Sequence, residues 1–175
     1  MIRLGLIAVL LTGPNCVKLR AMGARDGDGW IQCNCGSKHW GLHGAAGLLL
    51  VRADRILLQH RAPWVHNGDT WGIPGGARDS HESVLEAALR EASEEIGISE
   101  HLVTPVKTFT DDHGDWSYHT VIATADVKLQ AYEMNDESME VRWILISEVG
   151  AHNLHPSFAK SWPEISKLIS ALNLN

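Results

Sequence analysis

Hydrophobic positions recur along the chain with two different spacings, and each spacing predicts a different kind of element. Apolar runs at Ala46–Arg52 and Arg55–Arg61, separated by Ala53-Asp54, predict a β-hairpin. Near the end of the chain, apolar residues at helical spacing predict a helix over Phe158–Leu172. Further predicted strands are Val103–Thr110, Ser117–Val127 and Glu140–Ile146. The predicted buried side of the last helix is made of Trp162, Ile165, Leu168, Ile169 and Leu172.

A second helix is predicted in the middle of the chain, after a loop. Gly and Pro punctuate His66–Ala77, which is predicted to be a loop, and a helix is predicted over Ser80–Ile96. Asp79 with Glu82 three residues later predicts a capping box at the start of this helix, and Gly97 predicts its end. Strands before, between and after two helices indicate a mixed α/β or α+β sandwich.

Composition and charge narrow the class of protein. The chain has 175 residues, 45% hydrophobic and 21% charged, as expected for one soluble globular domain. A formal net charge of −6 argues against a nucleic-acid polymer as partner, because phosphate backbones are bound by clustered Lys and Arg. No apolar run approaches the roughly 20 residues that span a bilayer, so no membrane partner is expected. Three cysteines, Cys16, Cys33 and Cys35, favour a reducing compartment, and we expect a cytoplasmic protein.

Turn-rich residues at Gly23–Gly29 mark the predicted start of the ordered domain. We therefore expect an N-terminal extension over residues 1–28 and a globular domain over residues 29–175. The apolar run Leu4–Leu11 resembles the core of a signal peptide, but the residues after it lack the usual cleavage pattern of small residues. We expect an extension that is poorly ordered, or one that precedes a true start at Met22.

Three glutamates in the middle helix carry the clearest chemical signal. Glu91, Glu94 and Glu95 stand at i, i+3 and i+4, so their side chains meet on one helical face. Like charges at this spacing destabilise a helix by about 0.2–0.5 kcal/mol per pair. Converging carboxylates are ligands that a hard divalent cation prefers, whereas the alternative is a solvated acidic surface.

The glutamates belong to a longer pattern of fixed spacing. Its positions are Gly76, Glu82, Arg90, Glu91, Glu94, Glu95, Gly97 and Ile98. Seven fixed identities would match by chance on the order of once in 10⁸ starting positions at average amino-acid usage. The pattern resembles the box of the Nudix hydrolases, with Ala92 in an apolar slot as a mild departure. The chain is thus similar to small MutT-like pyrophosphohydrolases, closely over the box and more loosely over about Gly41–Ile146.

The resemblance implies a fold, a reaction and a metal. It implies an αβα sandwich with a mixed β-sheet, in which water attacks a phosphorus of a nucleoside diphosphate linked to another group. By the same resemblance, Glu91, Glu94 and Glu95 bind Mg²⁺ or Mn²⁺, and one of them or a later carboxylate activates the water. Gly75 and Gly76 would let the backbone pass close to the metal and the phosphates.

Other residues of the box are expected to support the site. Glu82, Arg90 and Gly97 are assigned this role by the resemblance, with Arg90 holding the glutamates in orientation. Spacing alone predicts a compatible role for Arg90, an intrahelical ion pair with Glu86 or Glu94 four residues away.

Two charged residues outside the box are candidates by resemblance to the MutT-like branch. Glu137, in the loop before the last predicted strand, is the first choice for an additional catalytic carboxylate, with Asp136 and Glu140 as rivals. Arg61, at the end of the second hairpin strand, matches an arginine that contacts nucleotide in that branch. A polar loop and a solvated arginine are the alternatives.

Aromatic residues are candidates for stacking on a base. The chain has seven tryptophans, and Trp64, Trp116 and Tyr118 lie in or beside predicted loops. Stacking contributes about 1–3 kcal/mol per base where it occurs. Core packing is the alternative for each of them.

Cys33, Cys35, His39 and His43 lie within eleven residues and raise the question of a zinc site. Their spacing differs from that of zinc fingers, in which a loop separates the two pairs of ligands. We therefore expect no structural zinc from the sequence, and a loop with packed thiols and imidazoles instead.

The combined expectation is an enzyme that acts on small nucleotides. We expect Mg²⁺-dependent hydrolysis of a (deoxy)nucleoside triphosphate to a monophosphate and pyrophosphate. Alternatives are hydrolysis of ADP-ribose or of a dinucleoside polyphosphate, and a non-catalytic nucleotide-binding module, which would not need the full set of glutamates. A homodimer is compatible with the sequence, which does not determine the oligomeric state.

Overall fold

A computed structural model describes residues 25–174. Residues 1–24 of the expected extension lie outside the described residues, and they include the run Leu4–Leu11 and Met22. The strands are β1 (Trp30–Gln32), β2 (Lys38–Trp40), β3 (Ala45–Arg52), β4 (Arg55–Arg61), β5 (Trp71–Gly72), β6 (Gly75–Ala77), β7 (Val103–Asp112), β8 (Ser117–Ala125) and β9 (Ser138–Leu145). The helices are α1 (Val84–Ile96) and α2 (Pro156–Ala171), with 3₁₀ turns at Glu100–Leu102 and Val149–Ala151. No helix in the described part of the chain is long and apolar enough to cross a membrane.

Strand β3 lies at the centre of a mixed sheet. It pairs in parallel with β8, and β8 pairs antiparallel with β7. On its other edge β3 meets β4 only beside their shared turn, and its first residues pair with β6 instead. Strand β4 likewise pairs with β5 near its end, while β9 runs along its far edge. β5 and β6 therefore fill the gap where β3 and β4 diverge, and β6 lies against α1.

Alternate residues of β3 face opposite sides of the sheet and bury two separate cores. Leu48 and Leu50 pack with the small and apolar residues of α1 on one face. Leu49 and Val51 pack with Phe158, Trp162, Ile165 and Ile169 of α2 on the other. Each fully buried aliphatic side chain contributes about 1.5–3 kcal/mol. One helix on each face confirms the predicted αβα sandwich with a mixed sheet.

Helix α1 begins four residues later than predicted, because a different residue caps it. The Ser83 hydroxyl accepts the N–H of Glu86, and the Glu86 carboxylate accepts the N–H of Ser83, which completes a capping box. The predicted box of Asp79 and Glu82 is therefore wrong as a helix cap. These two residues form a turn instead, in which the Glu82 carboxylate accepts the Asp79 N–H at 3.0 Å. The predicted end is correct, since Gly97 adopts φ 64° and donates its N–H to the Ser93 carbonyl.

Short strands are the main feature that the hydrophobic pattern missed. The predicted loop His66–Ala77 contains β5 and β6, and a β1–β2 hairpin precedes the first predicted strand. Strands of two or three residues are too short to show an alternating pattern. Gly75 can pair with Gly47 because neither carries a side chain: a Cβ on Gly75 would lie 2.5 Å from the Cα of Gly47.

Candidate active site

Helix α1 presents its glutamates at the edge of the sheet, where β6 ends. Glu91 and Glu95 are 7% and 6% exposed, whereas the side chain of Glu94 is nearly half exposed. Burial of the first two follows from the alanines on the same helix, Ala88 and Ala92, which have no exposed surface and bring α1 close to the strands. The glutamates therefore line an opening between α1 and the strands.

This opening is a cavity of about 320 Å³, at the small end of the usual range for small-molecule sites. Its walls come from six separate parts of the described chain. They consist of Arg25, Asp28, Trp40, Arg61, Gly75, Gly76, Ala77, Glu91, Glu94, Glu95, Asn135 and Glu137. Five carboxylates face two guanidinium groups here, so the cavity is acidic before any cation binds.

Arg90 connects Glu91 of α1 to Glu82 and to the end of β6. Its guanidinium donates to both carboxylate oxygens of Glu82, at 2.6 and 2.8 Å, and to the Ala77 carbonyl at 2.9 Å. It also donates to Glu91. The hydrogen bond with Arg90 lowers the pKa of Glu82 below its usual value. The structure thus brings Arg90, Glu82 and Glu91 together, whereas Glu86, one of the partners expected from spacing, caps α1 instead.

Arg25 reaches the same carboxylates from the N-terminal side. Its guanidinium donates to Glu91 at 3.2 Å and forms an ion pair with Glu94. The segment that carries it is anchored, because the Gly27 N–H donates to the buried Asp79 carboxylate at 2.8 Å. These residues belong to the range expected to be an extension, and they contact the domain directly.

Glu95 has a different environment from the other two glutamates. Burial, and then repulsion from Glu91, raises the pKa of Glu95 to about 8. The Gly75 N–H donates to its carboxylate at 3.3 Å. The fully buried Gln59 amide also interacts with Glu95, yet neither of its polar atoms makes a hydrogen bond of normal geometry to a described residue. Polar groups buried in this way are stabilised by a partner such as water or a ligand.

The donor set fits a hard divalent cation. Burial also raises the pKa of Glu91, although Arg90 and Arg25 oppose that effect, so two desolvated carboxylates lie beside each other. A cation would relieve this repulsion, and Mg²⁺ takes carboxylate oxygens in this way. The three glutamates do not point at one centre: the arginines bind Glu91 and Glu94, while Glu95 turns to Gly75.

Gly76 leaves the space that this arrangement needs. A Cβ at this position would lie 2.7 Å from the carboxylate carbon of Glu91. No real Cβ tolerates such a contact, so a side chain here would push Glu91 out of place. Gly76 therefore lets the backbone of β6 pass close to the Glu91 carboxylate.

Among the three candidates for an additional carboxylate, the structure places Glu137 in the cavity. Glu137 lies in the turn just before β9, which begins at Ser138 rather than at the predicted Glu140. Asp136 lines a neighbouring groove, and Glu140 pairs with Arg142 on β9. Arg61 also lines the cavity.

The aromatic candidates require a correction. Trp116 is 9% exposed, and its indole N–H donates to the Gly41 carbonyl at 2.9 Å. Tyr118 packs its hydroxyl under Gly47 and Gly75, inside the sheet. Burial removes the Trp116 ring from any surface on which a base could stack, whereas the Tyr118 ring is half-buried. The aromatic ring that does line the cavity is that of Trp40, which is 41% exposed and which was not among the aromatic candidates.

Comparison with known proteins identifies related chains. Residues 41–165 match the family model of the NUDIX domain. A protein of Mycobacterium tuberculosis named "Putative 8-oxo-dGTP diphosphatase 3" is 46% identical over 165 residues, covering 87% of this chain and 75% of that protein. A nucleoside triphosphate pyrophosphatase/Nudix hydrolase fusion protein of Bifidobacterium longum is 41% identical over 83% of this chain, which spans 32% of the fusion.

A solved structure agrees with the fold. The crystal structure of the Nudix hydrolase RenU from M. smegmatis superposes with a TM-score of 0.76 and 43% sequence identity. It covers 83% of this chain and 96% of the solved chain. The similarity therefore extends well beyond the segment around α1, to both helical layers and the sheet.

Proposed function

This chain belongs to the Nudix hydrolase family, and from that premise we propose that it is a Mg²⁺-dependent pyrophosphohydrolase of nucleoside triphosphates. Hydrolysis of a pyrophosphate bond is the activity of the family. The metal, the substrate and the roles of individual residues are the proposed part. The observation that carries the proposal is the single cavity shared by Glu91, Glu94, Glu95, Glu137 and Arg61.

The charge of the cavity supports a metal-dependent reaction. An anionic polyphosphate would be repelled by five carboxylates facing two guanidinium groups. A divalent cation reverses the local field, so that the phosphates can enter. Glu91, Glu94 and Glu95 would hold the ion, and when bound it polarises phosphoryl oxygens and makes an attacking water more acidic.

The chain's own groups can be given roles from their positions. Glu137 lies on an exposed turn across the cavity from α1, and we assign it to removing the proton from the attacking water. The water oxygen bonds to phosphorus, the anhydride P–O bond breaks, and the monophosphate and pyrophosphate leave. Arg61 would neutralise part of the phosphate charge, and Arg90 keeps Glu91 oriented through its contacts with Glu82.

The cavity wall suggests how the base is held. Trp40 offers a partly exposed ring within the cavity, and Asn135 offers an amide that can form hydrogen bonds to a base. The Mycobacterium tuberculosis relative is named for 8-oxo-dGTP, and this oxidised nucleotide is therefore the first substrate that we propose. The proposal is consistent with a formal net charge of −6, because nucleic-acid polymers are bound by clustered Lys and Arg.

A substrate panel tests the proposal. Purified protein is incubated with 8-oxo-dGTP, dGTP, ATP, ADP-ribose and a dinucleoside tetraphosphate, in Mg²⁺ and in EDTA, and products are resolved by ion-exchange chromatography. We expect a nucleoside monophosphate and pyrophosphate from the triphosphates, with 8-oxo-dGTP preferred, and no turnover in EDTA. Glu95→Gln serves as the control for a contaminating hydrolase. A preference of about 100-fold for ADP-ribose or the dinucleotide, about 2.7 kcal/mol in transition-state binding, would overturn the substrate assignment.

A further inference from the structure

A second cluster of metal-binding residues lies outside the carboxylate site. Cys33 and Cys35 occupy the turn between β1 and β2, and His39 lies in β2. One ligand atom from each of the three residues lies within 4.8 Å of the other two. The Cys35 sulfur is 3.2 Å from Nε2 of His39. Three donors from a seven-residue stretch thus converge on one point.

The turn between β7 and β8 brings further candidate ligands beside this cluster. The Cys33 sulfur lies 2.8 Å from Oδ1 of Asp115, although the two residues are 82 positions apart in the chain. The imidazole of His113 lies 4.5 Å from that of His39, centroid to centroid. Nε2 of His113 is 3.3 Å from a carboxylate oxygen of Asp111. Histidine ligands of metals commonly have a carboxylate partner of this kind, which orients the ring.

The surroundings hold these donors in place. The His39 ring stacks on Trp116 at a centroid distance of 4.1 Å and an interplanar angle of 7°. The backbone N–H of Cys35 donates to the sulfur of Cys33 at 3.4 Å, and Cys33 is 3% exposed. The turn closes at Gly36, which has φ 90°. Rotation of the ligands is therefore restricted before any ion arrives.

We propose that Cys33, Cys35 and His39 bind one Zn²⁺ ion, with a fourth ligand from the β7–β8 turn, either His113 or Asp115. Two thiolates and an imidazole are ligands that zinc prefers over Mg²⁺, and four protein ligands give a closed, structural site. This site is separate from the carboxylate site and does not depend on its assignment. The sequence spacing argued against zinc because no loop separates the cysteine pair from His39 and His43. In the fold, His43 faces Asp26 at 3.9 Å instead.

The ion would fasten the β1–β2 hairpin to the body of the domain. Trp40 follows His39 directly, and it lines the cavity in which hydrolysis is proposed. A clamp at His39 therefore fixes one wall of that cavity without contacting the substrate. If the proposed function is correct, loss of zinc raises KM more than it lowers kcat, because the glutamates lie on a different element.

Metal analysis of the purified chain tests the zinc site without reference to activity. The full chain is expressed in zinc-supplemented medium, purified under reducing conditions without chelators, and analysed by inductively coupled plasma mass spectrometry. We expect about one Zn²⁺ per chain in the wild type and in His43→Ala, and less than about 0.1 in Cys35→Ser and His39→Ala. Zinc loss in His113→Ala or in Asp115→Asn identifies the fourth ligand. Replacement of zinc by Co²⁺ should give a thiolate-to-cobalt charge-transfer band in the wild type.

Several results would overturn the zinc site, and they do not require that every variant folds. A wild-type chain without zinc that also fails to bind added Zn²⁺ or Co²⁺ would exclude it. Wild-type protein with a disulfide between Cys33 and Cys35 after reducing purification would do the same. Equal zinc loss in His43→Ala and His39→Ala would show that the ligand set is wrong. Zinc retained in both His113→Ala and Asp115→Asn would exclude the clamp to the β7–β8 turn.

Discussion

Replacement of Glu95 by Gln separates the chemical role of this residue from its cost to folding. The folded pKa of Glu95 is raised from 4.5 to about 8, so the metal-free folded state binds a proton that the unfolded state releases above pH 4.5. The contribution of Glu95 to the free energy of unfolding is therefore fully present below about pH 4.5, and it is lost as the pH rises to about 8. pH 7 lies 2.5 units above the unfolded pKa of 4.5, so by pH 7 about 3 kcal/mol of this stability has been lost.

Gln is uncharged, so it removes the cost of burying a charged carboxylate at this position. It also keeps an oxygen that can accept the Gly75 N–H. In EDTA at pH 7 we expect Glu95→Gln to be more stable than the wild type by about 1–3 kcal/mol, since local relaxation reduces the full cost. The difference should shrink below about 1 kcal/mol at pH 5 and reach its largest value near pH 9. Urea unfolding at several pH values, followed by tryptophan fluorescence, measures it.

The same variant should lose activity although it gains stability. We expect kcat to fall by roughly 10²- to 10⁴-fold, the range for loss of a key charged group in a catalytic site. Mg²⁺ should raise the Tm of the wild type more than that of Glu95→Gln, because a ligand stabilises only the state that binds it. Ser93→Ala, on the same helix outside the cavity, is the matched control and should change little. Near-wild-type turnover in Glu95→Gln would refute the site, and equal pH dependence of stability would refute the effect of burial.

Three further changes probe the cavity. Arg25→Ala removes a guanidinium that binds Glu91 and Glu94. In a metal titration, the Mg²⁺ concentration that gives the half-maximal rate should therefore fall about 2- to 5-fold. A rise in this concentration would show that Arg25 assists metal binding instead. Trp40→Ala removes a stacking surface, so KM for a nucleoside triphosphate should rise about 10-fold in steady-state kinetics, with a smaller effect on kcat. An unchanged KM would exclude stacking. Gly76→Ala should abolish most of the Mg²⁺-induced rise in Tm because its Cβ displaces Glu91, whereas Gly150→Ala, with nothing within 4 Å, should behave as the wild type.

The layers of the fold could be predicted because their elements are long. β3 and α2 bury many residues each, so alternation and helical spacing were visible, and both elements were found within about two residues. The start of α1 was misplaced because two overlapping pairs, Asp79 with Glu82 and Ser83 with Glu86, both have capping-box spacing. Long-range contacts separate the two pairs: the Asp79 carboxylate accepts the Gly27 N–H, and Glu82 binds Arg90.

The candidate site could be predicted where its residues lie close together in the chain. Glu91, Glu94 and Glu95 share one helix, so their place on the same cavity wall follows from helical geometry. Arg25 and Trp40 were missed because they reach the cavity from the N-terminal segment, more than 50 positions before Glu91. Neither residue has a local pattern that reports a long-range contact.

The division of the cavity into two kinds of wall has a consequence for how relatives of this enzyme diverge. Glu91 and Glu95 are held in position by the packing of α1 against the sheet, so they keep their places when the opposite wall changes. Trp40 and Asn135 lie on a small hairpin and an exposed turn, where substitutions cost little stability. A duplicated gene could therefore exchange residues on this outer wall and acquire a new nucleotide preference, while it inherits the hydrolytic chemistry intact.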